Sequence, residues 1–99
     1  MPTVVKGDFE WDSAKDLLNK KKHGVSFDEA LTAFRDEHSL TLEDPQGHVD
    51  RFVLVGMSDK ERVLFVVHAE IVTKRRTRII SARIASKKQA VQYALGDAL

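Results

Sequence analysis

Three β-rich runs with little chain between them constrain this sequence most. Residues 51–57 (RFVLVGM), 62–69 (RVLFVVHA) and 77–83 (TRIISAR) are rich in β-branched and aromatic side chains. The connectors, 58–61 and a polar turn near 73–76, are far shorter than the dozen or more residues that a parallel crossover needs. Neighbouring runs must therefore pair antiparallel. A fourth run, 39–43, alternates and is followed by the turn signal Asp44-Pro45-Gln46-Gly47, which extends the meander to four strands.

Helices are expected on both sides of this block. Asp12 is a good N-cap, Ala14, Leu17, Leu18 and Val25 follow at helical spacing, and Gly24 is a left-handed stop behind three lysines; together they predict a helix over 12–23. Ser26 and Glu29 form a capping box, and Phe27, Ala30, Leu31 and Phe34 give the stripe of a second helix over 27–35. Ser86 and Gln89 repeat the box in its Gln form; Ala90, Val91, Ala94 and Leu95 supply the apolar face of a closing helix that Gly96 ends. Phe9-Glu10-Trp11 reads as a short extended segment. The expected architecture is one α+β domain over 1–99: an antiparallel sheet of four or more strands, two N-terminal helices and a C-terminal helix.

Composition sharpens the functional question. The 99 residues carry no cysteine, which fits a reducing compartment and excludes thiolate zinc sites. Residues 1–10 hold no apolar signal core, and no apolar run nears the ~20 residues of a membrane span, so a cytoplasmic protein is expected. The net charge of +1 conceals an imbalance: 7 Lys and Arg against 12 Asp and Glu through residue 59, then 9 against 3 from residue 60 on. A basic second half points to a positive face for a polyanion or an acidic partner. The four histidines lack metal-ligand spacing, so neither metal nor other cofactor is expected.

The opening motifs Phe9-Glu10-Trp11-Asp12, Lys15, Asn19, Lys22-His23-Gly24-Val25-Ser26-Phe27, Glu29-Ala30 and Phe34 resemble the BrnT toxin family. So do residues 51–56, 64–68 and Arg78-Ile79-Ile80-Ser81-Ala82-Arg83. The resemblance implies a RelE/ParE-like fold and metal-independent endoribonuclease activity that blocks translation. It also implies a BrnA-like ribbon-helix-helix antitoxin as partner, through which the pair binds operator DNA. The chain departs from the pattern at Ile71, where the family usually has arginine, in a turn about two residues longer, and at Gln89, where Glu is frequent. An arginine lost at Ile71 would have to be replaced by Lys74, Arg75 or Arg76. The alternative is a catalytically inactive toxin-like protein that only binds the antitoxin.

RNA cleavage by the 2′-hydroxyl route needs fixed cations around the phosphorane and groups that move two protons. Arg83, at a strand end, is the first candidate for the phosphate, and Arg78 the second. The two are five residues apart, which in a regular strand puts them on opposite faces. His68 and Glu70, two apart and so on one face, are candidate proton handlers. Lys22, His23, Trp11, Arg75 and Arg76 are candidate RNA contacts, although packing in the core explains a lone tryptophan at a helix start as well.

Overall fold

A computed structural model describes residues 2–96. Its elements run β1 (Thr3–Lys6), β2 (Phe9–Asp12), α1 (Ser13–His23), α2 (Phe27–Ala33), β3 (Leu40–Glu43), β4 (Phe52–Met57), β5 (Val63–Ile71), a 3-10 turn (Val72–Lys74), β6 (Arg76–Ile84) and α3 (Lys87–Leu95). The expected meander is present as β3 to β6, antiparallel throughout. The sheet, however, has six strands in the order β1-β2-β6-β5-β4-β3. The extended segment at Phe9 is the second arm of a hairpin whose first arm, Thr-Val-Val-Lys, precedes it; Gly7 turns the corner at φ +57°. β2 then joins β6 in parallel, through Phe9–Thr77 and Glu10–Arg78, so the sheet is mixed rather than antiparallel. Residues 13–75 supply the long connection that a parallel pair requires.

One face of this sheet carries the core. Val25, Phe27, Ala30, Leu31 and Ala33, from α2 and its lead-in, pack on Trp11, Leu54, Leu64, Val66, Ile79 and Ala82. Gly56 is demanded by this packing: a Cβ there would lie 2.9 Å from the Ala33 carbonyl oxygen. Ser26 caps α2 through the Glu29 N–H, but Glu29 does not complete the box. Its buried carboxylate instead accepts from Arg62 and the Ser58 hydroxyl, tying α2 to the β4–β5 hairpin. α3 packs against β4, and Tyr93 reaches past it to donate to Asp36 at 2.5 Å. Among the described residues no helix is long and apolar enough to cross a membrane.

α1 departs from its expected role. Its leucines do not enter the core: Leu17 and Leu18 are exposed, and the buried residue is Asn19. β2 pairs with only the first part of β6, leaving the later edge of that strand without a partner strand. Asn19 takes the vacant place. Its Nδ2 donates to the Ala82 carbonyl at 2.8 Å, its Oδ1 accepts from the Ala82 N–H at 3.1 Å, and Nδ2 also reaches the Val25 carbonyl at 2.8 Å. The amide side chain thus stands in for one residue of a strand. Asn19→Ala would strip partners from buried backbone groups, each worth about 1–3 kcal/mol. We expect a loss of about 3 kcal/mol in urea unfolding, against less than about 0.5 kcal/mol for the exposed neighbour Lys20→Ala.

Candidate nucleic-acid interface

The face of the sheet away from α2 is shaped by an irregularity. β5 and β6 pair as Phe65–Arg83 and Val67–Ser81, then as His68–Ile79 and Ala69–Arg78, with Ile80 as the extra residue of a β-bulge. Directly paired residues share a face. The bulge therefore reverses the alternation of β6, so that Arg76, Arg78, Ser81 and Arg83 all lie on the side opposite the core. The opposite-face expectation for Arg78 and Arg83 holds for a regular strand and is overturned here by one inserted residue.

Sharing a face does not bring the two arginines into one pocket. Five residues of strand span roughly 16 Å. At its end of the sheet Arg78 donates to Glu10 at 2.5 Å, and Arg76, across the strand from Ile71, approaches the same carboxylate at 3.5 Å. Burial of Glu10 (2% exposed) works to raise its pKa, but the hydrogen bonds from Arg78 and Arg76 and the charge of Lys74 prevail and hold it below the usual carboxylate range. Arg75 caps the 3-10 turn in the left-handed region at φ +53°, exposed.

Arg83 sits differently. Its guanidinium lies 4.0 Å above the centre of the Phe65 ring, and Nη1 donates to the Gln89 side chain at 3.3 Å and the Ile84 carbonyl at 3.2 Å. Gln89 is held in turn because its Oε1 also accepts from Ser86 N–H at 2.9 Å in the capping box. Arg83 lines a cavity of about 330 Å³ together with His23, Asp44, Arg51, Phe65 and Ser81. A second cavity of about 490 Å³, with Lys15, Leu18, Lys21 and Lys22 in its wall, shares His23, Ile80 and Ser81 with the first. The two make one trough, because α1 lies along the open edge of β6 and carries its basic C-terminal turn beside the bulge. Among the described residues Asp44 is the one acid in the lining; it accepts from Gln46 N–H at 2.9 Å and from His48 Nδ1 at 2.7 Å, which with the nearby cations holds it below the usual carboxylate range.

Of the residues singled out from sequence, the trough unites Arg83, His23 and Lys22. His68 and Glu70 do share a face, but it is the core side. His68 is buried against Phe34, with ring centres 4.9 Å apart; burial pushes its imidazole below the usual value, and its Nδ1 lies 3.3 Å from the Val66 carbonyl. Glu70 is exposed and accepts from Thr77 Oγ1 at 2.8 Å. Trp11 is 1% exposed, edge-on to Phe27, and offers no face to a base. Arg51, Lys15, Asp44 and Ser81 join Arg83, His23 and Lys22 in the lining without a site signal in the sequence. Their signal is tertiary, since each is an ordinary surface residue until the bulge and α1 set them around Arg83.

A family model described as "Ribonuclease toxin, BrnT, of type II toxin-antitoxin system" matches residues 11–89. The chain belongs to the BrnT family. The match spans the chain from Trp11 in β2 through Gln89 in α3. The fold is also similar to the crystal structure of the Brucella abortus ribonuclease toxin, BrnT, with TM-score 0.62 and 22% identity over 78% of this chain and 94% of that one. Comparison with curated protein sequences found no match.

Proposed function

We propose that this BrnT-type toxin is a cytoplasmic, metal-independent endoribonuclease that inhibits translation and is neutralised by a BrnA-like ribbon-helix-helix antitoxin, the pair binding operator DNA through the antitoxin. The observation that carries the enzymatic reading is the trough: Arg83, braced by Phe65 and Gln89, with Arg51, His23 and three lysines around one concavity beside the bulge. In this reading the scissile phosphate lies against Arg83 and Arg51, whose planar forks match its oxygens. Lys15, Lys21 and Lys22 carry the flanking backbone. A base withdraws the proton of the 2′-hydroxyl, O2′ bonds to phosphorus, the P–O5′ bond breaks, and an acid returns a proton to O5′. His23 is the group in the trough lining suited to those transfers, with Asp44, hydrogen-bonded to His48 outside the trough, as the carboxylate beside it. The products are a 2′,3′-cyclic phosphate and a 5′-hydroxyl.

The test is incubation of the purified chain with single-stranded RNA in excess chelator, with end-group analysis of the fragments. Cyclic-phosphate ends formed in chelator support the proposal; intact RNA, or cleavage only with added divalent ion, refutes it. A binding-only toxin-like protein is favoured by one observation, Ile71 at the position where arginine is frequent. Arg76 stands directly across the strand from Ile71, so the cation is displaced by one strand rather than lost from that end of the sheet. RNA left uncut by a chain that still binds its antitoxin would select the binding-only reading.

A further inference from the structure

The exposed face of α1 is unpartnered in a particular way. Leu17 is 71% exposed and Leu18 66%, although both sit mid-helix where an amphipathic helix would bury them. Neither is needed to hold α1 in place. Asn19 fastens it to Ala82, Asp16 accepts from the Phe27 N–H at 2.8 Å, and Arg62 donates to the Gly24 carbonyl at 3.1 Å. Around the leucines stand Lys15, Lys20, Lys21 and Lys22, all exposed, while Asp16, the acid of this helix, is turned inward on α2. Leu18, Lys15, Lys21 and Lys22 are also wall residues of the trough.

An apolar pair ringed by four ammonium groups matches one class of partner more fully than another. RNA phosphates would satisfy the lysines and leave the leucines in water. An acidic amphipathic helix satisfies both, its apolar stripe covering Leu17 and Leu18 and its carboxylates meeting the lysines. We infer that α1 is the docking surface for an acidic, amphipathic helical segment of the neutralising antitoxin, and that this segment blocks the RNA trough by occupying Lys15, Lys21 and Lys22. The inference rests on the type II toxin reading above. Antitoxin and RNA then compete for the same lysines, and neutralisation is steric and electrostatic, with no change in the position of Arg83.

Leu17 lies outside the trough lining, which makes it the position to change. The probe is the small protein encoded beside this chain in its genome, titrated into the parent and into Leu17→Asp. We expect about 30-fold or greater loss of affinity in Leu17→Asp, the size of a central anchor. The free variant should unfold at the parent's midpoint and bind single-stranded RNA within about twofold of the parent, the small loss being that of one carboxylate placed a helical turn from Lys21. In the parent complex, amide exchange over residues 14–23 should slow and RNA binding should be lost. If the parent binds the antitoxin and Leu17→Asp binds within twofold, with α1 unprotected, the surface assignment is wrong while the toxin reading stands. If the parent binds no such protein, the neutralisation reading fails and this inference with it. A variant that loses RNA but keeps the antitoxin, or a parent dimer that Leu17→Asp splits, also overturns the assignment.

Discussion

Arg83→Ala should lower RNA cleavage by about 10²–10³-fold, the usual cost of removing one fixed donor from the site of developing transition-state charge. The change also removes the guanidinium from the Phe65 ring, an interaction worth about 1 kcal/mol at a half-exposed site. In a domain of 99 residues that is a fall of roughly 4–8 °C in the unfolding midpoint. The protein stays folded at assay temperature, so loss of activity far beyond that modest shift reports chemistry rather than unfolding. Arg83→Lys keeps the charge but cannot present two parallel N–H groups, and should recover only part of the rate. Gln89→Ala offers a complementary reading. It frees Arg83 from its brace without removing it, so kcat should fall while the KM for RNA changes little. A folded Arg83→Ala protein that cuts RNA at the parental rate would remove the trough from consideration as the active site.

Arg78→Met should destabilise the fold by about 3 kcal/mol, because it leaves the Glu10 carboxylate buried with only the 3.5 Å approach of Arg76 to compensate it. Arg78 is about one-third exposed, so the figure stands at the lower end of what breaking a fully buried pair costs. The double change Glu10→Leu/Arg78→Met removes both charges and should recover most of the loss, since apolar replacement of a buried pair is often neutral. The pH dependence follows from the lowered pKa of Glu10. A carboxylate held below its unfolded value contributes stability that is complete above that unfolded value, about 4.3, and is lost as pH falls towards the folded one. The parent should therefore weaken below about pH 4 by this route, and the double variant should lack that part of the acid loss. Equal stability of the parent and Arg78→Met at pH 7 would show that the ion pair holds nothing together. The same pair explains why Arg78, although on the Arg83 face, is committed to joining β2 to β6.

The meander, the start of α2 at Phe27, the span of α3 and the Ser86–Gln89 capping box were legible because each depends on neighbours within a few residues: strand alternation, short polar turns, and side chains that cap the next backbone N–H. The end of α2 was not: the helix stops at Ala33, two residues before the expected 35. The strand β1 was legible in principle too, since Val4 and Val5 precede the Gly7-Asp8 corner, but two short arms carry a weak signal. The candidate site was half legible: Arg83, His23 and Lys22 stand out as charges at element ends, where side chains are free to meet a ligand.

By itself the sequence determined the element types, the antiparallel meander, the basic second half and the family. The tertiary structure alone decided which charges meet. Alternation places Arg78 and Arg83 on opposite faces, and only the pairing of β5 with β6 shows that Ile80 is inserted and the face reverses. Spacing makes Leu17 and Leu18 core residues of α1, and only the unpaired edge of β6 shows why Asn19 is drawn inward instead. Buried backbone groups at Ala82 require hydrogen-bond partners, and a buried N–H or C=O left unpaired costs as much as burying a leucine gains. Such requirements arise between elements 63 residues apart in sequence, so no local window contains them.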